Sequence, residues 1–170
     1  MTDPTAGPTR VAIALGTNLG DRQRNLEEAI AALRGLLDDL AVSSFHDTAP
    51  VGVPLPHPNY LNAAVTGLTC LTPRALLARL HDIERALGRV RPHANAPRTI
   101  DLDLILHGDA RVDEPSLTVP HPRFRDRAFV LGPLAEIAPA MVDPESGLSI
   151  GELLRRLPPA ISQPRPIGPD

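Results

Sequence analysis

"APRTIDLDLILHG" (residues 96–108) alternates Asp101 and Asp103 with Leu102 and Leu104, then continues through Ile105 and Leu106 to Gly108. A run this short, apolar and period-two reads as a strand. Upstream, Thr72-Pro73 supplies a helix N-cap and a first-turn proline. Leu76, Leu77, Leu80, Ile83 and Leu87 form that helix's apolar stripe, and Gly88 is its expected stop. "YLNAAVTGLTC" (60–70) and "AVSSFHDT" (41–48) read as strands, separated by the proline-rich loop "APVGVPLPHPN". Before them, Leu26, Ile30, Leu33, Leu37 and Leu40 recur at helical spacing, and "RVAIALG" (10–16) is a first strand. The strand at 99–108 closes an order near βαββαβ. That order predicts an α+β fold, a ferredoxin-like α/β sandwich with a mainly antiparallel central sheet.

Downstream, a short extended piece and a proline-marked loop lead to a helix near Ala128–Glu136, and Ser149 with Glu152 makes a capping box for a last helix through Arg156. Residues 1–9 read as a flexible lead, 10–157 as one domain, and 158–170 as a proline-rich disordered tail.

Two carboxylates inside an apolar strand need a reason, because an unpaired buried charge is expensive. Side chains two apart share a face, about 6.5–7 Å apart along the strand. Asp101 and Asp103 could converge on divalent ions, and oxygen-only ligation favours Mg²⁺. Equally, they could lie at a strand edge and pair with Arg98. All 17 basic residues are arginine, which excludes a Walker-type lysine loop and a lysine Schiff base. Any bound anion must meet guanidinium forks or backbone amides. Arg89, Arg91 and Arg98 sit where phosphate clamping would use them, whereas Arg85 and Arg125 read as solvated surface. His121, between prolines, could be an acid or base, a phosphate donor or a packed loop histidine.

A net charge of −3 argues against nucleic acid as the main partner. Cys70 is the single cysteine, so internal disulfides and a cysteine zinc cage are excluded; it reads as a small packed hydrophobe. No apolar run reaches membrane-spanning length and no signal-peptide core precedes the first strand. A monomeric cytoplasmic protein without a membrane partner is the expectation. Aromatics are scarce, namely Phe45, Tyr60, Phe124 and Phe129, so one beside a polar motif is a candidate for stacking on a flat ligand. On the residues alone, two other readings stay open: a different two-metal phosphoryl enzyme built on the same D-x-D, and a non-catalytic ferredoxin-like module.

Several stretches together resemble the 6-hydroxymethyl-7,8-dihydropterin pyrophosphokinase family: "ALGTNLGD" (14–21), "SSFHDTAPVG" (43–52), "NYLNAAV" (59–65), "IERALGRVR" (83–91), "APRTIDLDLIL" (96–106) and "LTVPHPRFRDRAFVLGPLAEIAP" (117–139). The resemblance implies an ATP-dependent diphosphotransferase of folate biosynthesis, passing pyrophosphate to the pterin hydroxymethyl oxygen and releasing AMP. It implies two Mg²⁺ ions on Asp101 and Asp103, and Arg89 and Arg98 stabilising charge on the transferred group. It implies ATP contacts from Glu84, Arg91, Arg98, Leu104, Thr118, His121 and Arg127, and pterin contacts from Thr48, Ala49, Val51, Tyr60, Asn62 and Phe129. The chain departs from the family pattern at Ala94, Asn95, Ser116 and Pro122.

Overall fold

In the computed structural model, residues 7–49, 59–88 and 99–158 are described, together with the backbone of 165–166. The first strand, β1 (Thr9–Thr17), lies at the centre of the sheet. Its odd residues Val11, Ile13 and Leu15 pack on one face, and its even residues Ala12 and Ala14 on the other. This is the period-two alternation of an extended chain. Helix α1 (Arg22–Arg34) follows, capped by Asp21, whose side chain accepts from the Arg24 amide. Next come β2 (Asp38–Val42), β3 (His46–Thr48) and the long β4 (Tyr60–Thr69). Helix α2 (Pro73–Ala86) starts where Thr72 Oγ1 accepts from the Ala75 amide, and β5 (Asp101–His107) closes the order.

The sheet runs β5-β1-β4-β3, with β2 also on β4, and every pairing is antiparallel. Both crossovers, β1–α1–β2 and β4–α2–β5, skip over one intervening strand. This is the ferredoxin-like arrangement, in which α1 and α2 cover the same face. The first core lies there: Leu26, Leu33, Leu76 and Leu80 meet Ile13, Leu15, Val65, Leu102 and Leu104.

A second helical layer covers the opposite face. It comprises α3 (Ala128–Ile137) and α4 (Ile150–Arg156), reached through a β6–β7 hairpin (Val112–Glu114, Leu117–Val119) and a 3-10 turn at Phe124–Asp126. The small residues Ala12, Ala14 and Ala64 let Val130, Leu131 and Leu134 of α3 come close to the sheet. Ser149 and Glu152 make the expected capping box. The backbone of Arg165–Pro166, β8, pairs with β3.

Four local expectations are corrected. Leu37 and Leu40 do not extend α1, because the chain leaves the helix at Gly35; Leu37 is buried in the turn and Leu40 lies on β2. The strand read over 41–48 is two strands, because Ser43 places its hydroxyl where the ladder expects a carbonyl: Oγ accepts from the Ala64 amide at 2.8 Å. Cys70 is exposed, since it follows the last residue of β4 and escapes the alternation. Arg125 is not solvated surface: its guanidinium grips the fully buried Asp143 at 2.6 and 3.0 Å.

Candidate active site

Directly paired residues of antiparallel strands present their side chains on the same face. Gly16 pairs with Asp101 on one side and Asn62 on the other, and Asn62 pairs with His46. One row therefore crosses the sheet as Asp101, Gly16, Asn62 and His46, on the face that carries α3. The next row is Asp103, Ala14 and Ala64. Asp101 and Asp103 share this face and are half-buried, while Leu102 and Leu104 point into the first core.

The floor between the carboxylates and Asn62 is glycine for a steric reason. A Cβ on Gly16 would lie 3.1 Å from Asn62 Oδ1. Asn62 Nδ2 donates to Thr48 Oγ1, which directs the amide and leaves its carbonyl over the glycine. Thr48 and Tyr60 form the last cross-strand pair of β3 and β4, on this same face. Phe129, half-buried at the start of α3, has the Arg127 guanidinium 5.4 Å from its ring centre. Thr48, Tyr60, Asn62 and Phe129 thus gather on the α3 face, and Ala49 follows Thr48 on the exposed side. Behind this floor, Thr17 Oγ1 donates to the Thr99 carbonyl and receives Asn25 Nδ2 at 3.3 Å, tying β1 and α1 to the segment that enters β5.

His121 lies along the outer edge of β5, where its amide donates to the Ile105 carbonyl at 2.9 Å. Its Nδ1 accepts the Arg123 amide at 3.1 Å, so the neutral ring carries its proton on Nε2 and offers a donor there. Burial, then the nearby Arg127 charge, lower its pKa to about 4, against the opposing pull of Asp101. His121 is therefore a neutral donor at physiological pH. Ring resonances of His121 in the free protein are expected to stay flat from pH 8 down to about 5.5. A midpoint near that of a free histidine would contradict this.

On the other side of β5, α2 and β7 pack against the strand. Glu84 is 2% exposed, one helical turn beyond Leu80 on the inward stripe of α2, and Thr118 is half-buried on β7. Leu104 is 4% exposed with its side chain in the first core. Any contact it makes with a nucleotide is by main chain. Val51, Arg89, Arg91 and Arg98 lie outside the described residues.

Among the described residues no group of three or more acidic, histidine or cysteine side chains could hold a metal. A cation here would have Asp101 and Asp103 as its protein ligands. That donor set suits Mg²⁺, which commonly takes one or two carboxylates and completes its shell with phosphate oxygens and water.

Sequence reasoning missed three contributors. Gly16 is one, and its position at the end of an alternating strand beside a turn was the only signal. Glu136, near the end of α3, is another. Its carboxylate accepts the Ser44 amide at 2.9 Å, the Ser44 hydroxyl at 2.8 Å and the His46 ring at Nε2, anchoring β3 to α3. Burial alone would raise the Glu136 pKa, but the Ser44 and His46 hydrogen bonds outweigh it and hold the carboxyl below its ordinary range. Arg22 is the third.

The profile of the 7,8-dihydro-6-hydroxymethylpterin-pyrophosphokinase (HPPK) family matches residues 12–139. A Synechocystis protein named 2-amino-4-hydroxy-6-hydroxymethyldihydropteridine pyrophosphokinase is 43% identical over 148 residues, covering 85% of this chain and 74% of that one. The Pseudomonas aeruginosa protein of the same name is 40% identical over 151 residues, covering 88% of this chain and 92% of its own. Among solved structures, a Plasmodium falciparum HPPK-DHPS chain superposes with a TM-score of 0.69 at 13% identity, covering 88% of this chain. This chain spans 45% of that longer one, and the likeness speaks to the fold. Since the profile spans most of the chain and the relatives match it nearly end to end, the chain belongs to the 7,8-dihydro-6-hydroxymethylpterin-pyrophosphokinase family.

Proposed function

We propose that the chain moves the β,γ-pyrophosphoryl group of ATP to the hydroxymethyl oxygen of 6-hydroxymethyl-7,8-dihydropterin, releasing AMP. Family membership makes it a pyrophosphokinase of folate biosynthesis acting on hydroxymethyldihydropterin. The observation that carries the finer reading is the row Asp101, Gly16, Asn62: acidic groups and an amide that can read a heterocycle edge, across a bare floor.

Asn62, with Thr48 and the main chain at Ala49 and Val51, reads the pterin edge, while Tyr60 and Phe129 supply faces for its ring. Asp101 and Asp103 would hold two Mg²⁺ ions. Bound there, the ions would neutralise phosphate charge and favour loss of the hydroxyl proton. His121 Nε2–H and Arg127 offer donors to the phosphates, with Glu84, Arg91, Leu104 and Thr118 around the rest of the nucleotide. Arg89 and Arg98 stabilise charge on the group in flight. Both substrates are small molecules, and residues 10–157 are the catalytic domain. The protein acts as a cytoplasmic monomer without nucleic-acid or membrane partners. The charge of −3 supports the part of this reading that leaves out nucleic acid.

The test is AMP release from ATP with and without the pterin, and with and without Mg²⁺. AMP that appears only when all three are present is the expected result; pterin-independent AMP, or none, refutes the reading. Gly16→Ala should raise the pterin KM about 3- to 10-fold by displacing the Asn62 carbonyl, the loss of one ordinary hydrogen bond. The ATP KM should not move, and a change confined to ATP would contradict the assignment of Asn62.

A further inference from the structure

Arg22 opens α1, and its guanidinium reaches two places that are distant in the chain. Nη1 and Nη2 face the two oxygens of Asp47 at 3.5 and 3.3 Å, and Nη1 also donates to the main-chain carbonyl of Asn59 at 2.8 Å. Asp47 is the middle residue of β3, and Asn59 immediately precedes β4. Thr48 ends β3 and Tyr60 begins β4, and the two are cross-strand partners. One planar cation thus joins the middle of β3 to the residue that enters β4.

Alternation along β3 makes this possible. His46 and Thr48 face α3, so Asp47 faces α1. The strand is only three residues long and is gripped from both sides, by Glu136 at His46 and by Arg22 at Asp47. The two ion-pair side chains are 30% and 28% exposed, and pairs this open contribute little to global stability. The fork geometry has a different use: it fixes the separation of two chain segments, which a lysine's single ammonium on a flexible stem does poorly.

We propose that Arg22 is a positioning residue for the flat substrate. It ties the end of β3 to the entry of β4 so that Thr48 and Tyr60 keep the spacing that the pterin requires. This rests on the pterin reading of Thr48, Tyr60 and Asn62 given above. Arg22 touches no reacting atom, so its effect belongs in pterin binding and not in the rate of transfer.

The experiment compares Arg22→Met, Arg22→Lys and Asp47→Asn with the parent, measuring the pterin KM, the ATP KM, kcat and the melting temperature. Arg22→Met should raise the pterin KM about 5- to 10-fold, the scale of one or two lost hydrogen bonds. The ATP KM and kcat should stay within about twofold of the parent, a change too small to count as a lost interaction. Arg22→Lys should restore part of the loss, and Asp47→Asn should show a smaller increase of the same kind. Hydrogen exchange at the Thr48 and Tyr60 amides should quicken in Arg22→Met, a readout that does not depend on turnover. An unchanged pterin KM, an equal rise in the ATP KM, or full recovery with lysine would each overturn the proposal. A parent enzyme with no pterin-dependent AMP release would overturn the pterin reading beneath it, and the proposal with it.

Discussion

Alanine at Asp101 or at Asp103 is expected to lower kcat by about 10³-fold or more, the scale seen when a group that offsets charge on a transferring phosphoryl is removed. The two side chains share one face in successive rows, beside Gly16 and Ala14, so neither can take the other's place. The fold should survive, because β5 is held by its ladder to β1 and by Leu102 and Leu104 in the opposite core. Mg²⁺ with a non-hydrolysable ATP analogue should raise the parent's melting temperature by mass action and leave that of the variants nearly unmoved. Turnover within about tenfold of the parent in either variant would remove the metal assignment, since losing one ligand of a catalytic ion is far costlier than that.

Asp143→Ala is expected to have the largest effect on stability, about 2–4 kcal/mol, because it removes a fully buried carboxylate that accepts five hydrogen bonds, while Arg125 keeps Glu145 at 2.8 Å. Asp143 is fully buried and accepts two hydrogen bonds from Arg125, one from the Ser146 hydroxyl at 2.7 Å, and the amides of Glu145 and Ser146 at 3.1 and 3.3 Å. Burial alone would raise its pKa, but these bonds and the Arg125 charge outweigh it and hold the carboxyl at about 2. The folded state therefore binds fewer protons than the unfolded chain between about pH 4 and pH 2. Asp143's contribution is complete above that window and is lost as the pH falls through it. Chemical denaturation should show the difference between parent and Asp143→Asn closing on acidification; a gap that stayed constant down to pH 2 would refute the linkage.

Much of the fold was readable because alternation and helical spacing record which face each residue buries. The strands at 10–16, 60–70 and 99–108, the Thr72 cap and the Ser149–Glu152 capping box all report local chemistry. The errors arose where a tertiary contact replaced a local rule. The Ser43 hydroxyl standing in for a main-chain acceptor broke one predicted strand into two. Leu37 continued the helical spacing by coincidence after the chain had already turned at Gly35. Arg125 looked like any surface cation because its partner lies 18 residues further on.

The candidate site divides in the same way. The Asp101–Asp103 face could be seen in the strand itself, whereas Gly16 became meaningful only once the register set it between Asp101 and Asn62. Glu84 shows the converse. The stripe predicted for α2 ran through Ile83 and Leu87, but the residue buried beyond Leu80 is the carboxylate, because Leu76, Leu80 and Glu84 recur four apart. Glu136 and Arg22 could not be found from sequence, since each acts on a strand far from its own helix.

The register of β5 against β1 slips between Ala12 and Ile13, leaving Ile105 without a counterpart. That extra residue joins two frames of opposite parity: odd positions 101 and 103 and even position 106 all look toward α3. Deleting Ile105 would restore strict alternation, because Leu106 would then follow Leu104 directly and still look toward α3 with the two aspartates. What would be lost is the Ile105 side chain, one of two consecutive apolar side chains on that face. The same residue's carbonyl holds the His121 amide at 2.9 Å, so the deletion would also disturb that tie to the outer edge of β5. One added residue in β5 thus turns two consecutive apolar side chains, Ile105 and Leu106, onto the face that carries the aspartates further along the strand.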